Sequence, residues 1–257
     1  MAEVNVLGAY GTKGENSETT CIALNYYNVI DAGNLIKGLK SQCAEIETVW
    51  LTHSHFDHIV DIAFLLDCYF DERKKPLRVA ALPETIKILQ KHIFNELIWP
   101  DFSKIHLLHS PEMALEFVPI EIGKRYEIGD NEFIEPFQTN HTVPSCGYIV
   151  TKEEKSLAIT ADTFKSDSIW EMVNTREDIV GLLIECSFPS SLESLAIESK
   201  HLTPKLLGEE VEKLQRDVKI YLKHLKKSGE EIIHKELLEI PRLKNAQIIH
   251  DNQKIFF

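Results

Sequence analysis

Apolar positions along this chain keep two rhythms, and they alternate from one end to the other. Short runs rich in β-branched residues, Val4-Asn5-Val6-Leu7, Cys21-Ile22-Ala23-Leu24 and Asn28-Val29-Ile30, flank a loop carrying Gly8, Gly11 and Gly14, and they predict a hairpin-rich sheet in the first third. Beyond them Ile59, Ile62, Ala63, Leu66 and Phe70 recur at helical spacing, so a helix begins near His58 and lays its stripe on that sheet. Pro83 stands where the first residue of a helix belongs, and 85–98 reads as an amphipathic helix ended by Trp99-Pro100. The surrounding stretch, about 71–112, is read as a helical insertion or lid.

Further along, 133–137, 148–150, 157–160 and 182–184 predict strands, the last two followed by Asp162 and Glu185. Thr203-Pro204 starts a helix expected to reach about Val218, 219–222 is a buried strand followed by His224, and the chain turns helical again from Gly229. Ile248-Ile249 and Ile255-Phe256 around Asp251-Asn252 suggest a closing hairpin. With no internal repeat, low-complexity tract or Pro/Gly/Ser-rich linker, residues 1–257 are read as a single α/β domain.

Composition narrows the class. At 257 residues and 44% hydrophobic content the chain can bury a large core. No run approaches the roughly 20 apolar residues of a membrane span, and Met1-Ala2-Glu3 opens without a basic stretch before an apolar one. The expected location is cytoplasmic. Five cysteines without a CxxC pair argue against a disulfide framework and against a thiolate cluster, and predict reduced, mostly buried thiols. A net charge of −12 repels long polyphosphate chains but leaves a small anionic substrate open. The basic runs Arg73-Lys74-Lys75 and Lys226-Lys227 are short enough to be solvated faces.

The chemistry concentrates in His53-Ser54-His55-Phe56-Asp57-His58, which follows the apolar Thr48-Val49-Trp50-Leu51. In extended backbone His53 and His55 point the same way, while Asp57 and His58, where a helix starts, turn toward a second point nearby. One short loop can thus serve two cations, and imidazole with carboxylate suits zinc, with manganese or iron also accommodated. His141 follows the strand at 133–137, Asp162 follows 157–160, and His224 follows 219–222. Taken singly, each stays open: His141 is a ligand or a plain loop histidine, Asp162 a bridging carboxylate or a helix N-cap, His224 a ligand or a strand-end imidazole. His92, His106, His109, His234 and His250 have no ligand-like neighbours and are read as surface or hydrogen-bonded imidazoles.

The order His53-x-His55-x-Asp57-His58, His141, Asp162, His224, each after a strand, resembles the metallo-β-lactamase superfamily. That resemblance implies a four-layer αββα sandwich, with two mixed sheets face to face and helices outside. It implies that His53, His55 and His141 bind one metal, that Asp57, His58 and His224 bind the other, and that Asp162 bridges both. Asp31, before Ala32-Gly33, matches the superfamily's first motif and is expected to orient a metal-binding histidine. Glu185-Cys186-Ser187-Phe188, followed by His201-Leu202-Thr203-Pro204, is similar to the phosphodiesterase branches, which include ribonuclease Z and the class II 3′,5′-cyclic-nucleotide phosphodiesterases. The finer likeness is to the latter, through His201-Leu202-Thr203-Pro204, the inserted Phe94-Asn95 with Ile98-Trp99-Pro100-Asp101-Phe102, and Lys223-His224-Leu225-Lys226. That class usually has leucine where this chain has Phe56, a small residue in place of Asp61 and glycine in place of Lys200.

The expected activity is hydrolysis of cAMP or cGMP to the 5′-monophosphate by a hydroxide bridging two divalent cations about 3.5 to 4 Å apart. The expected catalytic residues are His201, Asp57 and Asp162, with His201 protonating the leaving oxygen or stabilising its charge. No base-contacting residue is assigned, because Phe94, Trp99 and Phe102 fit core or lid packing. Two alternatives remain: a ribonuclease Z-like tRNA processing enzyme, although the basic, glycine-rich arm such enzymes use for tRNA is missing from the sequence, and a di-iron redox or binding protein on the same ligands. Relatives in the superfamily are often dimers, which leaves a homodimer open although the sequence displays no decisive interface, and a membrane partner is not expected.

Overall fold

In the computed structural model, which describes residues 2–257, fourteen strands form two seven-stranded sheets. The first is built from β1 (Glu3–Gly8), β2 (Cys21–Ala23), β3 (Asn28–Ile30), β4 (Thr48–Trp50), β5 (Leu77–Ala81) and β6 (Leu115–Pro119). The second takes β7 (Tyr126–Gly129), β8 (Glu132–Gln138), β9 (Cys146–Lys152), β10 (Lys155–Ile159), β11 (Ile179–Glu185), β12 (Lys219–Lys223) and β13 (Gln247–Ile248), and β14 (Gln253–Phe256) returns to the first. The two sheets follow one plan. In the first, β14-β1-β2-β3 pair antiparallel and β3-β4-β5-β6 parallel. In the second, β7-β8-β9-β10 pair antiparallel and β10-β11-β12-β13 parallel.

The alternation of side chains across a strand divides the apolar residues between two cores. Ile30, Trp50 and Ala80 face inward and meet Tyr148, Leu157 and Leu183 of the opposite sheet in one large cluster. Their neighbours Val29, Val49 and Val79 face outward, onto α1 (Leu35–Leu39), α2 (Phe56–Cys68) and α3 (Pro83–His92). The second sheet is covered by α4 (Asp167–Thr175), α5 (Glu193–Ser199), α6 (Pro204–Val211) and α7 (Glu230–Glu239), whose buried Trp170, Ala196, Leu207 and Ile233 join the inter-sheet cluster. Helix, sheet, sheet and helix thus stack as the four-layer sandwich that the sequence motifs imply. The carboxyl ends of β3, β4, β8, β10, β11 and β12 open on one edge, the place where α/β sheets leave room for a ligand.

Several boundaries differ from the sequence reading, each for a local reason. The helix from Pro83 stops at His92, because Asn95 Oδ1 captures the amides of Leu97 and Ile98 at 3.0 and 2.9 Å and Phe94 bridges to Trp99. The helix from Pro204 ends at Val211 instead of near 218, and Asn174 Oδ1 of α4 accepts the Gln215 amide at 2.8 Å. The closing hairpin does not form: β13 pairs with β12 and β14 with β1, so the tail passes from one sheet to the other. Asp251, between them, accepts from the Ala9 and Glu18 amides at 2.8 and 3.0 Å. The stretch 71–112 contains β5, which pairs with both β4 and β6, together with α3 and the buried Phe94 and Phe102. Arg73 does not lie on a solvated face. It is buried, with Nη2 donating to the Ile46 carbonyl at 2.8 Å.

Cys68 is exposed and the other four cysteines are buried, all five as free thiols. Among the described residues no helix is long and apolar enough to cross a membrane.

Candidate metal centre

The histidine loop leaves β4 in extended conformation and turns into α2 at Phe56, with His55 as the N-cap residue (φ −67°, ψ 147°). The opposite sheet holds it in place. Tyr148 Oη donates to the Leu51 carbonyl at 2.6 Å, and the Cys146 amide donates to the Thr52 carbonyl at 3.0 Å. On the other side the end of β3 is laced to the start of α2, where the Ala32 amide donates to the His58 carbonyl at 2.7 Å and the Asp61 amide to the Ala32 carbonyl at 2.9 Å. Gly33 is required by this approach, since a Cβ there would fall 2.0 Å from the Asp57 carbonyl oxygen.

Asp31, in the left-handed region at φ 57°, is fully buried and organises two of the imidazoles. Its Oδ2 accepts from His58 Nδ1 at 2.7 Å and from Thr52 Oγ1 at 2.8 Å. The Thr52 hydroxyl, its proton given to Asp31, accepts from His53 Nδ1 at 2.9 Å. Both rings are thereby fixed with Nε2 facing the interior of the site. His224, also left-handed (φ 63°), has Nδ1 on Thr20 Oγ1 at 3.2 Å and its amide on the Ala9 carbonyl. Gly11 packs against this ring so closely that a Cβ would lie 2.7 Å from both Cδ2 and Nε2.

The structure brings all seven predicted ligand side chains together in two overlapping groups. In the group of His53, His55, His141 and Asp162, and again in that of Asp57, His58, Asp162 and His224, the donor atoms lie within 4.8 Å of one another. Asp162 belongs to both, with Oδ2 3.1 Å from His224 Nε2, 3.3 Å from His58 Nε2 and 3.8 Å from His53 Nε2. His141 Nε2 and His55 Nδ1 face each other at 3.2 Å. Three buried atoms at this point, His53 Nε2, His58 Nε2 and Asp162 Oδ1, have no hydrogen-bond partner among the described residues. Each orphan of this kind costs about 1–3 kcal/mol, so the arrangement calls for an electrophile.

Protonation states agree for four of the five ligand-type histidines. Burial, aided by neighbouring imidazoles, holds His53 well below the ordinary histidine range, and burial also lowers His55, His141 and His224. Neutral imidazole is the ligating form. His58 differs: burial opposes its charge, but the Asp162 and Asp31 carboxylates outweigh it and push the ring up to about 10. Burial likewise works against the Asp162 carboxylate, and the surrounding His224, His58 and His53 hold it well below the usual range.

His201 stands beside both groups, its ring centroid 5.1 Å from that of His141 and 5.5 Å from that of His224, on which it stacks at 16°. Its Nδ1 donates to Glu185 Oε1 at 2.8 Å, and Ser187 Oγ donates to the other carboxylate oxygen at 2.8 Å. Burial resists protonation of His201, but Glu185 outweighs it and raises the ring above its ordinary value. Glu185 has no role in the sequence reading, although a carboxylate closing the apolar strand 182–184 and completely buried there has to be paired. Thr20 and Thr52 were also missed, since a hydroxyl that orients a ring leaves no mark in hydrophobic periodicity. Lys223, 1% exposed, brings Nζ to 4.0 Å from Asp162 Oδ1.

Two departures from the family pattern find a physical place. Asp61 accepts the Ile36 amide at 3.0 Å at the start of α1, where Asn34 offers no side-chain cap, and so serves the fold. Phe56 stands 64% exposed on the first turn of α2, between the ligand-type residues His55 and Asp57. His92, His106, His109, His234 and His250 lie outside both groups.

Comparison with known proteins agrees with this geometry. The chain is 28% identical over 207 residues to 3′,5′-cyclic-nucleotide phosphodiesterase 1 of Saccharomyces cerevisiae, covering 72% of this chain and 55% of that protein. It is 27% identical over 164 residues to ribonuclease Z of Thermococcus onnurineus, covering 60% and 49% respectively. It thus spans about half the length of these curated relatives. In fold it superimposes on unliganded yeast PDE1 with a TM-score of 0.81 at 19% identity, over 99% of each chain. A metallo-β-lactamase fold protein from Bacillus subtilis matches at 0.75 and 18% identity over 98% of each. The sequence model of the class-II cAMP phosphodiesterases matches residues 12–234. The chain has the metallo-β-lactamase fold and belongs to the class-II cAMP phosphodiesterase family.

Proposed function

We propose that this protein is a metal-dependent phosphodiesterase that opens 3′,5′-cyclic nucleotides to 5′-monophosphates. The observation that carries the proposal is Asp162, one carboxylate shared by two sets of imidazole and carboxylate donors, with the unpartnered Nε2 atoms of His53 and His58 turned toward it. That donor set fits two divalent cations. His53, His55 and His141 would hold one, Asp57, His58 and His224 the other, and Asp162 both, with zinc the first candidate and manganese or iron accommodated by the same nitrogen and oxygen atoms. Such cations supply charge to neutralise phosphoryl oxygens and to acidify a coordinated water.

The remaining work falls to the chain's own residues. Asp31, Thr52 and Thr20 fix ring orientation, so that the nitrogens need not reorganise as charge develops. Water adds to phosphorus as the bond to the 3′ oxygen breaks, and the departing oxygen needs a proton. His201, bonded to Glu185, which raises its pKa, and outside the ligand groups, is the residue we assign to give it. A small substrate suits the net charge of −12 better than a long polyanion does. The five free thiols and a nucleotide substrate accord with a cytoplasmic location.

A second reading has one specific support, the likeness to ribonuclease Z of Thermococcus onnurineus. A turnover screen over cAMP, cGMP, cyclic dinucleotides, an aryl phosphodiester and a precursor tRNA, on protein of counted metal content, separates the two. Release of AMP or GMP supports the first reading. Cleavage of the tRNA with inert cyclic mononucleotides replaces it with the second, and oxygen consumption without diester cleavage replaces both with a di-iron redox role.

A further inference from the structure

Lys200 ends α5 with its backbone in the left-handed region (φ 54°, ψ 52°), a conformation glycine takes freely and a residue with a Cβ takes at a cost. Both ends of this residue grip His141. The Lys200 carbonyl accepts from His141 Nδ1 at 3.2 Å, and the Lys200 ammonium donates to the His141 carbonyl at 3.0 Å and to Asn140 Oδ1 at 3.2 Å. Asn140 extends the grip, because its amide donates to Thr163 Oγ1 at 3.1 Å, its Nδ2 to the Lys165 carbonyl at 2.8 Å, and its carbonyl accepts the Phe164 amide at 2.7 Å. Through these contacts one side chain ties together the loop after β8, which carries His141, the loop after β10, which carries Asp162, and the segment that carries His201.

We propose that Lys200 is a positioning residue that holds His141 Nε2 toward His53 and His55, and with it the cation-binding strength of that half of the centre. The inference rests on the reading of His141 as a ligand given above. The carbonyl sets the ring, as any residue at this position would, while the ammonium restrains the backbone from which the ring hangs. The Nδ1 of His53 rests on the Thr52 hydroxyl of its own loop, whereas the Nδ1 of His141 rests on the carbonyl of Lys200, 59 residues away, so the placing of His141 depends on how Lys200 is held.

The test is a zinc titration of the full chain against a chromophoric chelator, repeated with cobalt to read the visible bands of each half of the centre. Lys200→Gly suits the backbone and keeps the carbonyl, Lys200→Met removes only the ammonium, and Lys200→Arg restores a cation that can reach the same oxygens. The expected result is two zinc equivalents for the unaltered chain, and in the Gly and Met variants a loss of roughly 10-fold or more in affinity for one cation only. The Arg variant should recover most of it. Failure of the unaltered chain to bind two equivalents would count against the metal-centre reading itself. Two equivalents bound with unchanged affinities in Lys200→Gly, or with equal losses at both cations, would overturn the role of Lys200 alone. If Lys200→Met does not fold, Lys200→Gly still decides.

Discussion

The His201 imidazole donates through Nδ1 to Glu185 Oε1 at 2.8 Å, a bond between a ring 7% exposed and a carboxylate fully enclosed at the end of β11. The carboxylate accepts only, so the tautomer is set and Nε2 is the atom left for a substrate. A general acid must hold its proton at working pH, and the raised pKa of His201 carries its protonated window upward. Glu185→Gln removes the partner that raises it, so the alkaline limb of kcat against pH should move to lower pH while the metal content stays at the unaltered level. A limb that does not move would separate His201 from proton donation.

His201→Ala should lower kcat by about 10²-fold or more while both cations stay bound, since His201 belongs to neither ligand group. Metal analysis beside the kinetics distinguishes the alternatives. Loss of one equivalent of metal would make His201 a ligand instead.

Gly11→Ala places a methyl where the His224 ring now lies, at 2.7 Å from Cδ2 and Nε2. The ring has to move, and a misplaced donor weakens one cation more than the other. We expect a loss of at least about 10-fold in affinity for the cation held with Asp57 and His58, the other being nearly unchanged, and a drop in kcat to match. Calorimetric titration with zinc reads both steps.

Far from the centre, the Arg176 guanidinium, which also bonds Glu135, donates to Asp178 and, with Ser156, lowers that carboxyl to about 2. The folded pKa lies below the unfolded one, so this pair contributes stability above about pH 4. The contribution is lost as the pH falls toward 2. Because the side chain is 32% exposed, solvent screening leaves about 1 kcal/mol or less. Asp178→Asn should lower the melting temperature slightly at pH 7 and flatten its acid limb. Equal losses at pH 7 and at pH 2 would assign the effect to packing.

Much of this was legible in the residues. The six-residue run from His53 to His58 after an apolar strand, and the strand-end positions of His141, Asp162 and His224, carry local spacing, whereas the facing of Val49 outward and Trp50 inward is not marked in an apolar run. The boundaries that failed were decided by single side chains acting across the fold: Asn95 closing its own turn, and Asn174 taking an amide from the segment after α6. The tail read as a hairpin because its apolar pairs flank a turn, whereas its strands find partners more than 20 residues away, in β12 and β1. Glu185, which entered only as part of a motif, and Thr52 were given no role of their own for a related reason. Each orients another residue's ring, and that relation exists only once distant strand ends meet.

The central claim is a pair of cations sharing Asp162, and anomalous diffraction from crystals of the full chain grown with zinc addresses it without recourse to activity. Two peaks about 3.5 to 4 Å apart are expected, one against His53, His55 and His141 and the other against Asp57, His58 and His224, with an Asp162 oxygen between them. A single peak, or two peaks neither of which touches Asp162, would contradict it.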